Sequence, residues 1–394
     1  MALKNNTWKV NQWYDQAVAG NVEYSSSVLS LYSWGYNGTG ELGLNNTTGQ
    51  PSIVQVGSNT TWAKIGGATE GSSAAIKNDG TLWTWGKGSY GVLGHNQSNA
   101  DATANKSSPK QLAGTTWNEV AGQQQGMYAT KTDGTLWAWG QNNYGQLGHN
   151  DDDGRSSPVQ VGSDTDWSNV VDSYATSAAV IKTDGTLWTM GLNNYGRLGL
   201  NDVRRRSSPT QVGSDTTWSY AAFGTGFLIA NKTDGTLWSW GYGLKGTLGH
   251  NESPGEKNYS SPVQIGSDTT WATGNGSVSS SSYNVSAIKT DGTLWSWGKN
   301  EHGQLGVNDR TEYSSPKQIP GTTWRTVFCA RQSTYATKTD GTLWAWGDNN
   351  RSSVGLLGQG NTTLYSSPVQ IGSDTDWSSN LGGSMWSVFG TRMS

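Results

Sequence analysis

The five-residue segment Leu-Trp-x-Trp-Gly constrains this chain more than any other feature. It stands at Leu82, Leu136, Leu237, Leu294 and Leu343, with a Met190 variant starting at Leu187 and a Tyr32 variant starting at Leu31. The seven starts lie 49 to 57 residues apart. A period near 50 is that of propeller blades, four-stranded sheets that bury their faces only by stacking on one another. A second marker, a Trp after Thr or Asp, falls once per period at Trp62, Trp117, Trp167, Trp218, Trp271, Trp324 and Trp377, with an extra one at Trp8. The three Trp slots hold 20 of the 22 tryptophans, leaving Trp13 and Trp386 near the ends. Trp is the largest apolar side chain, so a few per blade can build a core although only 33% of residues are hydrophobic.

Four strands can be read in each period. In the unit beginning at Ser156 they are 158–161, 167–171, 178–182 and 186–190. Thr183-Asp184-Gly185 joins the third to the fourth, and Asp-Gly between extended segments specifies a tight hairpin. The pair recurs at Asp79, Asp133, Asp234, Asp291 and Asp340. A Gly- and Asn-rich loop, 193–199 in this unit, follows the fourth strand, and no stretch has a useful helical period. The last unit, from Pro368 through Trp377 to Phe389, stops before a fourth strand, whereas Leu31–Gly35 supplies one with no Pro-x-Gln segment ahead of it. The expected fold is therefore all-β, a seven-bladed β-propeller of four-stranded blades over residues 31–394. The ring is expected to close by a three-plus-one arrangement of C-terminal and N-terminal strands, Leu31–Gly35 pairing with 384–389, which removes two sheet edges. Residues 1–30 are then an N-terminal arm and a docking segment, unless Trp8 marks a first blade built by the N-terminus alone.

The run from Leu136 to Gly148, Leu-Trp-Ala-Trp-Gly-Gln-Asn-Asn-Tyr-Gly-Gln-Leu-Gly, together with a Lys-x-Asp-Gly hairpin in six units, resembles the regulator of chromosome condensation repeat. The resemblance spans residues 31–390 and implies the propeller, but propellers host many unrelated activities. The eukaryotic namesakes promote guanine-nucleotide exchange on a small GTPase and touch chromatin. A propeller of similar repeat type is a secreted bacterial inhibitor of β-lactamases. This chain has neither a basic N-terminal tail of the chromatin-binding kind nor a recognisable exchange wedge. Its uniform repeats and polar composition are also similar to repeat proteins of bacteriophages and environmental bacteria.

Composition excludes several classes. A formal net charge of −3 argues against a general nucleic-acid binder, which needs a basic surface to displace counterions. The single Cys, Cys329, rules out an intramolecular disulfide and reads as a core thiol. No run approaches the roughly 20 apolar residues of a membrane helix. The first residues carry no apolar export core, so a cytoplasmic location, or a virion if the chain is phage-encoded, is expected.

Candidate chemistry is sparse. His95, His149 and His250 share a repeat slot that elsewhere holds Leu44, Leu200, Val307 or Gln359, which marks the slot as structural. The hairpin aspartates are explained by turn chemistry, and Asp164, Asp215, Asp268 and Asp374 are expected to cap turns. Asp151-Asp152-Asp153 reads as a solvated loop without the spacing of a calcium loop. No catalytic residue, cofactor or metal ligand is assigned, and the chain is expected not to be an enzyme. Partner-binding candidates are the blade-specific groups: Tyr90, Tyr144 and Tyr195 in one loop slot, His302 in the same slot of a fourth blade, the triplet Arg204, Arg205 and Arg206, and Trp8, Trp13 and Tyr14 of the arm. The inserts 97–106 and 252–259 also break the repeat. These features point to a non-catalytic binding or structural propeller in a bacteriophage virion (decoration, tail or fibre), contacting other virion subunits or a host-surface ligand. The alternative is a regulatory protein-binding propeller, an exchange factor or an enzyme inhibitor.

Overall fold

The computed structural model describes residues 28–68, 70–97, 104–252, 257–350 and 353–393. Each Asp-Gly pair forms the tight turn its chemistry favours. Gly134, for example, has φ +78°, and a Cβ there would run into the Thr165 carbonyl. The strands flanking these turns build seven antiparallel four-stranded sheets arranged as a ring. In blade 3 the strands run outward from the centre as Trp167–Val170, Ser177–Lys182, Leu187–Gly191 and Arg206–Gln211. Blade 1 starts at Trp62, blade 2 at Trp117, blade 4 at Trp218 and blade 6 at Trp324. Blade 5 has a shortened inner strand, Val278–Ser280, with Trp271 held ahead of it by a bridge to Lys289.

The expected blade frame is corrected by one strand. The Pro-x-Gln segment is the outermost strand of the preceding blade rather than the first of the next: Gln211 pairs with Trp188 and Thr210 with Thr189. Proline has no N–H to give to a ladder, so it fits an edge strand. The long loop that looked like a blade boundary folds back within the blade. The seventh sheet therefore takes Trp377–Gly383 and Ser387–Met393 from the C-terminus and Leu29–Gly35 and Gln50–Gln55 from the N-terminus, a two-plus-two closure instead of three-plus-one. The expected partners do meet, with Ser33 opposite Phe389 and Gly35 opposite Ser387, and the ladder runs back to Leu29 opposite Met393.

Three tryptophans organise the core of each of five blades, with Met190 in one slot of blade 3 and Tyr32 in one slot of the closure blade. In blade 2, Trp117 sits edge-on to Trp137 and Trp139, with ring centroids 6.0 and 6.2 Å apart. Such contacts add to the large apolar area these rings bury. The second Trp of the motif also ties blades together, since Trp139 donates to the Val92 carbonyl of blade 1 at 2.8 Å. Trp85, Trp240, Trp297 and Trp346 make the equivalent bond to the loop of the blade before. The first Trp of the motif donates to a Thr hydroxyl that in turn donates to the hairpin Asp, as in Trp83–Thr81–Asp79. That hydroxyl is the main reason the Asp79 carboxyl lies below its ordinary range.

The Lys of each Lys-x-Asp-Gly hairpin does more than precede a turn. Lys131 lies 4.8 Å from the Trp117 centroid and 3.8 Å from that of Trp137, a cation held between two aromatic faces. Lys77, Lys182, Lys232, Lys289 and Lys338 repeat the arrangement. Asp164, Asp215 and Asp268 pair with Lys182, Lys232 and Lys289 respectively. In the closure blade Arg392 stands in for the Lys, over Tyr32 and Trp377, with Asp374 and Asp376 as ion partners. Among the described residues, no helix is long and apolar enough to cross a membrane.

Candidate functional site

The loops joining inner to second strand and third to outer strand all emerge on one face of the ring, and the Asp-Gly hairpins on the other. The channel between the inner strands is closed by one side chain. Blade 3 ends its inner strand early, and the following residues turn toward the axis. The Ser173 amide donates to the Gly122 carbonyl of blade 2 at 2.8 Å, and Phe223 of blade 4 donates to the Asp172 carbonyl at 3.3 Å. Tyr174 then crosses the channel and donates its hydroxyl to the Cys329 carbonyl of blade 6 at 3.0 Å. Tyr174 is 7% exposed and separates a small lower cavity of about 70 Å³ from an upper funnel of about 490 Å³.

The lower cavity holds an ionisable cluster that the sequence reading did not find. Glu119 pairs with Lys64 at 2.7 Å, and Asp172 and Tyr220 face the same space. Asp172 keeps some exposure to the cavity but is ringed by protein. Burial pushes its carboxyl up to about 7, the neighbouring Glu119 adds to the rise, and the Gly122 and Gly67 amides oppose it. Its Oδ1 accepts the Gly122 N–H at 2.8 Å. The signal was present in the repeat: five residues after each Trp marker stand Gly67, Gly122, Asp172, Phe223, Gly276, Cys329 and Gly382. One carboxylate in a slot otherwise filled by Gly, Phe or Cys is a single-blade departure. A 70 Å³ space admits a handful of waters. Two carboxylates there, one already paired to a lysine, make the centre of the ring polar.

The rim candidates lie on the funnel face. Tyr90, Tyr144 and Tyr195 are 40, 39 and 45% exposed, so they are not packed beneath their loops. Tyr195 stacks on Tyr242 of blade 4, centroids 4.2 Å apart. Tyr90 and Tyr195 occupy the left-handed region, φ 59° and 65°. His302 is half-buried and its amide donates to Gln304 Oε1 at 2.9 Å, as the Tyr144 amide does to Gln146 Oε1 at 2.8 Å. The Arg triplet is largely answered from within. Arg206 pairs with Asp202 at 2.6 Å and Arg205 with Asp152 of blade 2 at 2.8 Å, while Arg204 makes no ion pair among the described residues. Asp151 of the acidic loop pairs with Arg155.

The shared histidine slot bonds to its own blade: His95 to Thr84 at 3.1 Å and His250 to Ser239 at 2.9 Å. Burial holds His95 down to about 4. Cys329 is buried, and burial raises its thiol. No group of three His, Cys, Asp or Glu that could hold a metal ion occurs among the described residues. Trp8, Trp13 and Tyr14 lie outside the described residues, as do parts of both inserts.

Comparison with known proteins agrees with this geometry. The profile of the regulator of chromosome condensation (RCC1) repeat matches residues 79–122, 133–177, 184–230 and 291–337, and a second profile of that repeat matches 277–304. The chain is 27% identical over 314 residues to the ultraviolet-B receptor UVR8 of Arabidopsis thaliana, covering 77% of this chain and 69% of that protein. It is 31% identical over 214 residues to the human E3 ubiquitin-protein ligase HERC2, covering 52% of this chain but only 4% of that far longer protein. Among solved structures, yeast RCC1 (Prp20) bound to Kap60 superposes with a TM-score of 0.80 at 17% identity, covering 96% of this chain and 92% of that one. Human WBSCR16 superposes with 0.79 at 16% identity, covering 93 and 99%.

Proposed function

This chain belongs to the regulator of chromosome condensation (RCC1) repeat family, and from that premise we propose that it is a non-catalytic regulatory propeller that acts by binding another protein on its funnel face. The observation that carries the reading is the conformation of the rim tyrosines. A left-handed backbone costs a bulky residue of order 1 kcal/mol or more, which Gly or Asn at a loop tip would largely avoid. Tyr90 and Tyr195 hold that conformation with their rings exposed, and Tyr144 presents a third ring in the same slot of the blade between them. Large, stiff amphipathic rings on a rigid scaffold are what protein interfaces use as anchors. Yeast RCC1, in the same fold, has been seen with Kap60 bound, which supports a protein as the class of partner. The segment before the ring, with Trp8, Trp13 and Tyr14, is proposed as a second contact. No feature of the described residues favours a virion role.

The test places a photo-crosslinking amino acid at Tyr144, at Tyr195 and, as a control on the hairpin face, at Ser163, in cells of the source. The reading requires one protein adduct from both rim positions, absent from the Ser163 control and from a chain also carrying Tyr90→Ala. Equal adducts from both faces would refute it.

A further inference from the structure

The funnel above Tyr174 opens at the centre of the same face and contains two guanidinium groups that have no carboxylate partner among the described residues. Arg197 is 7% exposed. Its Nε donates to the Asn194 carbonyl at 3.1 Å and its Nη1 to the Thr225 carbonyl at 3.0 Å, and it makes no ion pair among the described residues. Arg331 is exposed, lies over the Trp386 ring at 4.9 Å and likewise makes no ion pair among them. The other charges of the funnel are matched locally: Glu70 with Lys87 at 3.2 Å and with the amides of Gln124 and Gln125, and Lys299 with Glu301 at 2.9 Å.

Arg197 also departs from its repeat slot. Six residues after the motif glycine, the corresponding positions are Glu41, Val92, Gln146, Thr247 and Gln304. Where the slot holds Glu41, Gln146 or Gln304, the side-chain oxygen accepts a backbone N–H two residues earlier, as Glu41 does from Thr39 at 2.7 Å. Arginine has no acceptor and cannot do this. Where three other blades place that oxygen, blade 3 places a buried cation that faces the funnel and holds the Asn194 carbonyl of its own loop. A buried cation without a counter-ion is costly unless something supplies the opposite charge.

Resting on the protein-binding reading above, we propose that the funnel receives an acidic peptide segment of the partner, one carboxylate pairing with Arg197 and another with Arg331. The charge of the site selects carboxylates, and the planar guanidinium matches them geometrically. A volume of about 490 Å³ is in the range of pockets that enclose a small ligand or a few residues. The tyrosine rim around it provides the anchors for the flanking chain.

The experiment uses the full chain and a fluorescein-labelled ten-residue Glu/Ser peptide, with all-Ser and Lys/Ser peptides as controls, read by fluorescence anisotropy at low and at physiological salt. The acidic peptide is expected to bind with an affinity that falls with salt, and the Lys/Ser peptide not at all. Arg331→Ala is expected to weaken binding at least about tenfold, as is Arg197→Met, which keeps the aliphatic stem. Lys110→Ala, exposed on the outer strand of blade 1, is expected to leave affinity unchanged. If Arg197→Met does not fold, judged by its melting curve, the exposed Arg331→Ala decides alone. Equal binding of the all-Ser peptide, loss of affinity with Lys110→Ala but not Arg331→Ala, or displacement by equimolar inorganic phosphate would overturn the proposal. Rim crosslinking to a partner with no acidic-peptide binding would remove this inference and leave the protein-binding reading standing.

Discussion

Asp172→Asn isolates the polar centre of the ring. The carboxyl is raised from an ordinary value near 4 to about 7 by burial and by Glu119, against the pull of the Gly122 and Gly67 amides. For an acid raised in the folded state, the folded chain binds more protons than the unfolded one throughout that window. Stability from this group is therefore complete below about pH 4 and lost as pH rises through about 7. A thousand-fold bias toward the protonated form corresponds to roughly 4 kcal/mol, more than half of it between pH 5 and pH 8, and cavity water reduces it. Asparagine cannot ionise and still accepts from Gly122. Its stability relative to the wild type should rise by at least about 1 kcal/mol between pH 4 and pH 8. A mismatch between its NH2 and the second glycine amide subtracts a constant of about 1 kcal/mol at every pH. The assay is urea unfolding followed by tryptophan fluorescence, the two chains being compared at each pH. Taking the difference is essential because His95, held down to about 4, and His149 and His250, also lowered by burial, push the raw profile the opposite way, stabilising as pH rises toward 6.5. A difference independent of pH, or one favouring the wild type more strongly at pH 8, would show that Asp172 is charged in the folded ring and refute the argument.

Tyr174→Phe removes the bond to the Cys329 carbonyl and should cost about 1–2 kcal/mol in the same unfolding assay, whereas Tyr174→Ala also empties the plug and should cost roughly 3–5. Lys182→Met should lose about 1–2 kcal/mol, mostly its two ring contacts, because Asp164 and Asp166 are half exposed and their ion pairs are weak. Cys329, buried with a raised thiol, should react with Ellman's reagent only after denaturation, and labelling of the native chain would contradict its placement. Ending the chain after Gly383 removes the strand that bonds Leu29–Gly35 and should abolish cooperative unfolding, as read by circular dichroism melts.

The ring was legible because its core is written in residues whose spacing needs no partner to be seen. Where the reading slipped, the signal was one of absence. Seven motif segments accompany six Asp-Gly hairpins, and the missing seventh hairpin is where Met393 lies opposite Leu29. Counting the turns, rather than grouping each Pro-x-Gln strand with the Trp after it, would have given the two-plus-two closure. The hairpin lysines were visible, but a turn already explained them, and their place between two indoles depends on cross-strand pairing such as Trp117 with Lys131. Asp172 and Arg197 were each one residue out of step with their slots. Neither stands out until the ring brings the seven inner strands to a common axis. The rim tyrosines were legible as a matched set, but their left-handed backbone was not.

The closure has a mechanical consequence. Leu29 begins its strand and Met393 ends its own, side by side, so tension applied between these two ends meets the ladder at its first rung. Hydrogen bonds loaded in that way break one after another, as a zipper opens, rather than sharing the force along the strand. A ring that relies on its closing blade should therefore give way at low force when pulled by its ends. It should resist far more when pulled between points on opposite blades, where adjoining sheets have to slide past each other's tryptophans.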